Sequence, residues 1–222
     1  MAKQLNWPSA ERKLREAGLS TFAPQDVIHL LAATDISARF LLTRAVKRGD
    51  VLKLRRGLYT LAAFPPSALE AANALYRPSY LSFAFALSYY QIIPETVYTI
   101  ASATTRTTAT FTALGRQFAY RRIKRAAFTG YHAERVDNRV VWIAEPEKAL
   151  VDTLYFVLLG KMTLPERLNA KRLVSQKALA FANLYDYKDL IKLCSKAERR
   201  FGLFMAARAF LKTLTSPASA SG

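Results

Sequence analysis

Two consecutive prolines, Pro65 and Pro66, constrain the fold of this chain more than any other feature. Proline has no amide hydrogen and its ring fixes φ, so neither a helix interior nor a central strand continues through such a pair. Residues 62–67 are therefore predicted to form a linker. We expect one domain over residues 1–64 and a second over residues 65–215.

The segment before the prolines has the pattern of a helical unit that ends in a β-hairpin. Apolar residues at helical spacing predict helices over residues 9–17, 24–33 and 36–48. Two short β-prone runs at 51–54 and 58–61 flank a tight turn, where Gly57 supplies the positive φ that the turn needs. Three helices followed by a hairpin predict a winged helix-turn-helix.

The third predicted helix carries a basic face. Its predicted core residues are Leu41, Leu42, Ala45 and Val46. The side chains that remain to point outward are Ser37, Arg39, Thr43, Arg44, Lys47 and Arg48, and four of these six are cationic. In the major groove of DNA, Arg bridges guanine acceptors while Lys and Thr reach phosphates or base edges. We therefore interpret this segment as a recognition helix.

The predicted hairpin tip extends the basic surface with Lys53, Arg55 and Arg56, which suit phosphate contact or insertion into the minor groove. The whole chain has 33 Lys and Arg against 16 Asp and Glu, and a net charge of +17 attracts polyanions. The same charges also suit a solvated surface or an acidic protein partner. Charge alone leaves these alternatives open.

Beyond the linker the sequence predicts a mixed α/β domain, which makes the fold class α+β. Helices are predicted over residues 68–75, 83–90 and 145–160, and strands over 97–103, 109–112, 118–123 and 140–144. Ser82 is available as the N-cap of the second of these helices. The basic run from Arg121 to Arg125 suits a strand at a sheet edge or one with cations on both faces. Basic helices are expected up to residue 214, and a disordered Ser- and Ala-rich tail over 216–222.

A metal-dependent nuclease is the catalytic alternative, because such enzymes place carboxylates and a lysine around one strand pair. The nearest candidates are Asp137, Glu145, Glu147 and Lys148. Asp137 is predicted to lie in a turn, the two glutamates favour a helix N-terminus, and Lys148 is expected to be a surface cation. Glycine-rich phosphate loops and metal-spaced His or Cys clusters are absent from the sequence. We therefore expect a protein without catalytic activity and without a cofactor.

The sequence also bears on the cellular compartment. One cysteine, Cys194, excludes an intramolecular disulfide and fits a reducing environment. The most apolar stretch, residues 80–94, is interrupted by polar side chains, so neither a membrane span nor a signal peptide is expected. These features predict a cytoplasmic protein with no membrane partner.

Several segments occur in an order that resembles a known family. The hairpin KLRRGLYTL at 53–61 is followed by SYLS at 79–82, ALSYY at 86–90, IPE at 93–95, VY at 97–98, TT at 104–105, FAY at 118–120 and IAEPEKALVD at 143–152. From about residue 20 to about residue 160, this order resembles the AbiEi family of antitoxins and abortive-infection transcriptional regulators.

The resemblance implies a winged helix-turn-helix followed by an antitoxin domain. It implies negative autoregulation through inverted repeats in the double-stranded DNA of the protein's own promoter. It also implies a co-encoded toxin with a nucleotidyltransferase fold, which the protein counters functionally and without a requirement for direct contact. The DNA-reading elements of the family correspond to the same helix and wing, including Arg39, Arg44, Lys47, Arg55 and Arg56. The resemblance identifies no antitoxin residues, and a stand-alone regulator remains the alternative.

Overall fold

The computed structural model describes residues 6–169 and 172–199, with side chains up to residue 195. The tail predicted at 216–222 lies outside these ranges. The architecture mixes helices and strands, as the α+β prediction requires. The described residues form two compact units. One contains the described residues up to Arg77 together with Thr110–Phe118, and the other contains Pro78–Ala109 and the described residues from Ala119 onward.

The first unit contains the three predicted helices and the predicted hairpin. Its elements up to Arg77 are α1 (Trp7–Glu16), α2 (Pro24–Leu31), α3 (Asp35–Arg48), β1 (Val51–Arg55), β2 (Leu58–Leu61) and α4 (Ala68–Leu75). α3 begins where the Thr34 side chain accepts a hydrogen bond from the Ser37 amide at 3.2 Å. It ends at Gly49, whose φ of 83° is the left-handed conformation that glycine adopts without strain.

One apolar core joins α1, α2, α3 and the two strands of the hairpin. It consists of Trp7, Ala10, Leu14, Phe22, Val27, Ala38, Leu41, Leu42, Ala45, Val51 and Leu61. Phe22 also forms an isolated antiparallel bridge to Tyr59 of β2, with both backbone N–H···O distances at 2.9 Å. This bridge, which the sequence patterns did not predict, ties the loop before α2 to the hairpin.

The first unit extends past the boundary predicted at residue 64. Ser67 and Glu70 form a reciprocal capping box that starts α4 directly after the prolines. At the other end of α4, the Leu75 carbonyl accepts a 2.6 Å hydrogen bond from Arg55 Nε of the hairpin. The linker therefore separates two elements of the same compact unit.

The remaining elements form a six-stranded sheet and four helices. They are β3 (Ser79–Leu81), α5 (Phe83–Tyr89), β4 (Ile100–Thr104), β5 (Ala109–Ala113), β6 (Arg116–Arg122), β7 (Tyr131–Val136), β8 (Arg139–Ala144), α6 (Pro146–Leu158), α7 (Ser175–Asn183) and α8 (Lys188–Arg199). The strand order is β5-β6-β4-β3-β8-β7. β3 pairs with β4 in antiparallel fashion and with β8 in parallel fashion.

Three expectations for this part of the chain need correction. β3 and β7 were not predicted: β3 has only three residues, and β7 carries charged residues because it is an edge strand. The edge interpretation of the Arg121–Arg125 run is wrong, since β6 lies between β5 and β4. Ser82 occupies the N-cap position of α5, but its hydroxyl makes no cap and donates to Asp152 instead.

Candidate nucleic-acid interface

α3 has two opposite faces. Ala38, Leu41, Leu42 and Ala45 are buried in the core of the first unit. On the outward side, five of the six predicted residues are exposed: Arg39, Thr43, Arg44, Lys47 and Arg48. Ser37, the sixth, is half-buried beside the helix cap. The structure therefore brings the predicted basic residues onto one accessible helix.

The outward side chains of α3 differ in how they are held. Arg39 Nε donates to the Asp35 carboxylate at 2.8 Å, and Arg48 Nε donates to Asp50 at the same distance. Exposed ion pairs of this kind contribute at most about 1 kcal/mol, so an arginine exchanges such a partner readily for a phosphate. Thr43 donates its hydroxyl hydrogen to the Arg39 carbonyl at 2.8 Å.

Arg44 and Lys47 differ from Arg39 and Arg48 in their side-chain contacts. Within residues 6–169 and 172–199, neither side chain makes a hydrogen bond or an ion pair. Both are exposed, one turn apart, in the second half of α3. A cation that is solvated and unpaired can meet an anionic ligand without first losing a protein partner. These two residues are therefore the strongest candidates for anion contact on α3.

The hairpin presents two further exposed cations, Lys53 and Arg56. Arg55 is different: it is half-buried, its Nε donates to the Leu75 carbonyl at 2.6 Å, and its Nη1 donates to the Arg56 carbonyl at 2.9 Å. Its guanidinium thus holds the hairpin to α4. Gly57, with φ of 77°, lies in the turn beside Arg56, whereas Lys53 lies within β1 opposite Tyr59.

Two apolar residues on the exposed side of α3 were missed by the sequence reasoning. Ile36 is 68% exposed and Phe40 is 63% exposed. Their spacing is the signal that could have revealed them. They lie four residues apart, so they share one face of α3, and this face is opposite to Leu41 and Leu42. Neither residue was among the predicted core residues or the predicted outward residues of α3.

The residues considered for a nuclease are not assembled into a site. Asp137 lies in the exposed turn between β7 and β8, as predicted. Glu145 occupies the N-cap position of α6 without a side-chain cap and pairs with Lys177 at 3.3 Å, while Glu147 is buried and accepts a hydrogen bond from the Val174 amide at 2.9 Å. Among the described residues, no group of three His, Cys, Asp or Glu side chains is arranged to hold a metal ion.

The expectation that Lys148 is a surface cation is wrong. Lys148 is fully buried in α6 and pairs with Asp152, one turn further along the same helix. The Asp152 carboxylate also accepts hydrogen bonds from Tyr80 at 3.0 Å, Ser82 at 2.7 Å and the Tyr185 hydroxyl. These five side chains, which we call the Asp152 cluster, are all completely buried.

Burial shifts the pKa of three side chains in the Asp152 cluster: Lys148, Tyr80 and Tyr185. It lowers the pKa of Lys148, against the opposing effect of the Asp152 carboxylate. It raises the pKa of Tyr80 and of Tyr185, and the negative charge of Asp152 raises both further. The cluster is a buried charge pair whose remaining lone pairs are satisfied by hydroxyl groups.

No family model matches the chain, and no curated protein matches it. The similarity to the AbiEi family therefore stays a prediction from the segments quoted above. Within the described part of the chain, no helix is long and apolar enough to cross a membrane.

Proposed function

We propose that this chain is a DNA-binding transcriptional repressor. In this proposal the first compact unit works as a winged helix-turn-helix, with α3 as the recognition helix and the β1–β2 hairpin as the wing. The observation that carries the proposal is the division of α3 into a buried apolar face and an exposed face with Arg44 and Lys47 unpaired. The hairpin that follows presents Lys53 and Arg56 in the same unit.

The chemistry of each group fits a specific role on duplex DNA. Arg44 and Lys47 reach base edges or phosphates from the exposed side of α3, and Arg39 and Arg48 exchange their carboxylate partners for phosphates. Lys53 and Arg56 contact the phosphates beside the groove that α3 occupies. Arg55 serves the wing indirectly, because it fixes the hairpin to the Leu75 carbonyl.

The wider biological role is proposed from the resemblance. The protein would bind inverted repeats at its own promoter and repress its own synthesis. It would also act as the antitoxin of a type IV toxin-antitoxin system in the cytoplasm, where it counters a co-encoded toxin with a nucleotidyltransferase fold. We propose a binding function rather than catalysis, because the carboxylates and the lysine considered for a nuclease already serve as a turn residue, helix-end contacts and a buried ion pair.

The experiment that tests DNA binding is a gel-shift titration with the duplex upstream of the gene, using the double variant Arg44→Ala/Lys47→Ala. Loss of two direct contacts is expected to weaken binding by at least tenfold, because a bidentate base contact contributes about 1–3 kcal/mol. The fold should be retained, since both side chains are exposed.

The matched control is Arg116→Ala/Arg135→Ala, which removes the same charge from two exposed arginines on β6 and β7. Equal weakening by both double variants would show that only net charge matters and would contradict a recognition helix. Unchanged affinity of a folded Arg44→Ala/Lys47→Ala protein would contradict the proposal directly.

A further inference from the structure

The exposed face of α3 is apolar as well as basic. Ile36 and Phe40 occupy its first two turns and leave 68% and 63% of their surfaces open to solvent. Within the described ranges, Phe40 contacts no other aromatic ring. A single exposed apolar residue is ordinary on a protein surface. Two of them beside unpaired cations on one helix face indicate a ligand that is both anionic and locally apolar.

Helix geometry places these residues in one stripe. At 3.6 residues per turn, Ile36, Phe40, Thr43 and Lys47 lie within roughly 60° of one another around the helix axis, and Arg44 follows about 40° further on. The buried residues Ala38, Leu41, Leu42 and Ala45 lie on the opposite side. Any surface that meets the cations of α3 from outside therefore also meets the Phe40 ring.

Duplex DNA offers one apolar group that matches this stripe. The C5 methyl of thymine projects into the major groove beside the phosphates, and apolar side chains contact it there. The minor groove has no equivalent group. RNA lacks the methyl, and the major groove of its helix is too deep and narrow for side chains to read. The charge of Arg44 and Lys47 complements the phosphates that flank the same groove.

We propose that Phe40, supported by Ile36, reads thymine methyl groups in the major groove, and that each DNA half-site has thymine where the first two turns of α3 enter. This inference rests on the proposed DNA-binding function and adds a specificity determinant to it. Phe40 selects the base by apolar contact, while Arg44 and Lys47 hold the helix in register. The structure thus assigns a preference for T over C or U at these positions.

The test begins with selection of duplexes from a random pool by the full-length protein. The selected duplex is then prepared with thymine and with deoxyuracil, which differs only by the absent methyl. Wild-type affinity is expected to fall about fourfold for each contacted methyl, the value of burying one such group. Phe40→Ala should bind the thymine duplex more weakly and bind both duplexes equally. Tyr98→Ala, which removes an aromatic ring that is 82% exposed, should behave as wild type.

The alternative outcomes distinguish this inference from the proposed DNA-binding function on which it rests. Equal wild-type affinity for both duplexes, or an undiminished methyl effect in Phe40→Ala, overturns thymine reading while DNA binding stands. Failure of the pool to yield any preferred duplex overturns both. If Phe40→Ala instead turns a dimer into a monomer in sedimentation without DNA, and leaves the methyl effect unchanged, the apolar pair belongs to a contact between copies of this chain.

Discussion

At the scale of single residues, Asp152 organises the interior of the second unit. Its carboxylate accepts hydrogen bonds from four buried donors that come from three parts of the chain: β3 and the residue after it, α6, and the segment after α7. Removal of one partner from a buried pair is far more destabilising than replacement of both, since it leaves an uncompensated charge. Asp152 is the shared acceptor of one ammonium group and three hydroxyl groups, so its loss would leave all four donors without their acceptor.

The Asp152→Ala variant is expected to lose about 3–5 kcal/mol of unfolding free energy, because it leaves the buried Lys148 ammonium and the hydroxyls without their acceptor. Lys148→Met should lose less, since Asp152 keeps its three hydroxyl donors. Urea unfolding measures both. Lys177→Met is the control: its ion pair with Glu145 is exposed, and its loss should change stability by about 1 kcal/mol or less. Similar losses in Asp152→Ala and Lys177→Met would contradict the role given to the cluster.

The same cluster predicts how stability depends on alkaline pH. Tyr80 and Tyr185 have folded-state pKa values above the ordinary 10.0, so the folded protein keeps protons that the unfolded chain releases. Their stabilising contribution is complete below pH 10 and is lost as the pH rises toward the folded pKa values. Lys148 acts oppositely, because its folded pKa lies below 10.5, but its contribution stops changing once the pH exceeds that value.

The free energy of unfolding is therefore expected to fall above pH 10.5, by about 1.4 kcal/mol per pH unit for each of the two tyrosines. Urea unfolding across this range measures the slope, and tyrosinate absorbance reports the ionisation. Tyr185→Phe should reduce this slope by the contribution of one tyrosine, about 1.4 kcal/mol per pH unit. Tyr98→Phe, at an exposed position, should leave it unchanged. A wild-type slope in Tyr185→Phe would show that Tyr185 ionises while the protein is folded.

At the scale of elements, the hairpin divides its three cations between two tasks. Lys53 and Arg56 are exposed, whereas Arg55 is engaged with the carbonyls of Leu75 and Arg56. The sequence alone predicts the same role, contact with DNA, for all three residues. Only the position of α4, whose last carbonyl lies against the hairpin, separates the positioning arginine from the exposed cations.

We expect Lys53→Ala and Arg56→Ala each to reduce the slope of log affinity against log salt by about 0.9, the effect of one lost phosphate contact. Arg55→Ala should leave that slope nearly unchanged and instead lower stability by roughly 1–3 kcal/mol, through loss of charged hydrogen bonds. Filter-binding titrations across a salt series, with urea unfolding in parallel, distinguish the two effects. A stable Arg55→Ala protein with a reduced slope would assign Arg55 to phosphate contact after all.

The elements that could be predicted from the sequence are those with strong local signals. α3 has helical spacing and Gly49 at its end, and α4 has its capping box, so their bounds agree closely with the structure. β3 was not predicted, because three residues are too few to show the alternating pattern of a strand. The buried state of Lys148 was not predicted because it depends on Tyr80 and Tyr185, which are far away in sequence. Phe40 was not among the predicted core residues of α3, and its exposed position follows from the helical spacing.

At the scale of the whole molecule, a net charge of +17 promotes binding to any polyanion. Sequence-independent binding of this kind is expected even from variants without a functional recognition helix. Specificity is therefore measured as the difference in affinity between the selected duplex and competitor DNA at fixed salt. The residues proposed to create that contrast all belong to the first compact unit, while the Asp152 cluster belongs to the second.

This division predicts that repression and toxin protection can be separated. In the proposed antitoxin function, protection depends on the second unit. Arg44→Ala/Lys47→Ala should therefore abolish repression of a reporter under the gene's own promoter, yet still protect cells that express the proposed toxin, because both side chains belong to the first unit. Asp152→Ala should show the opposite bias, with protection lost as the second unit is destabilised. Immunoblots at matched expression levels provide the control. Loss of protection in an Arg44→Ala/Lys47→Ala protein of normal abundance would mean that the proposed protection acts through DNA binding itself, and would contradict the assignment of repression and protection to different units.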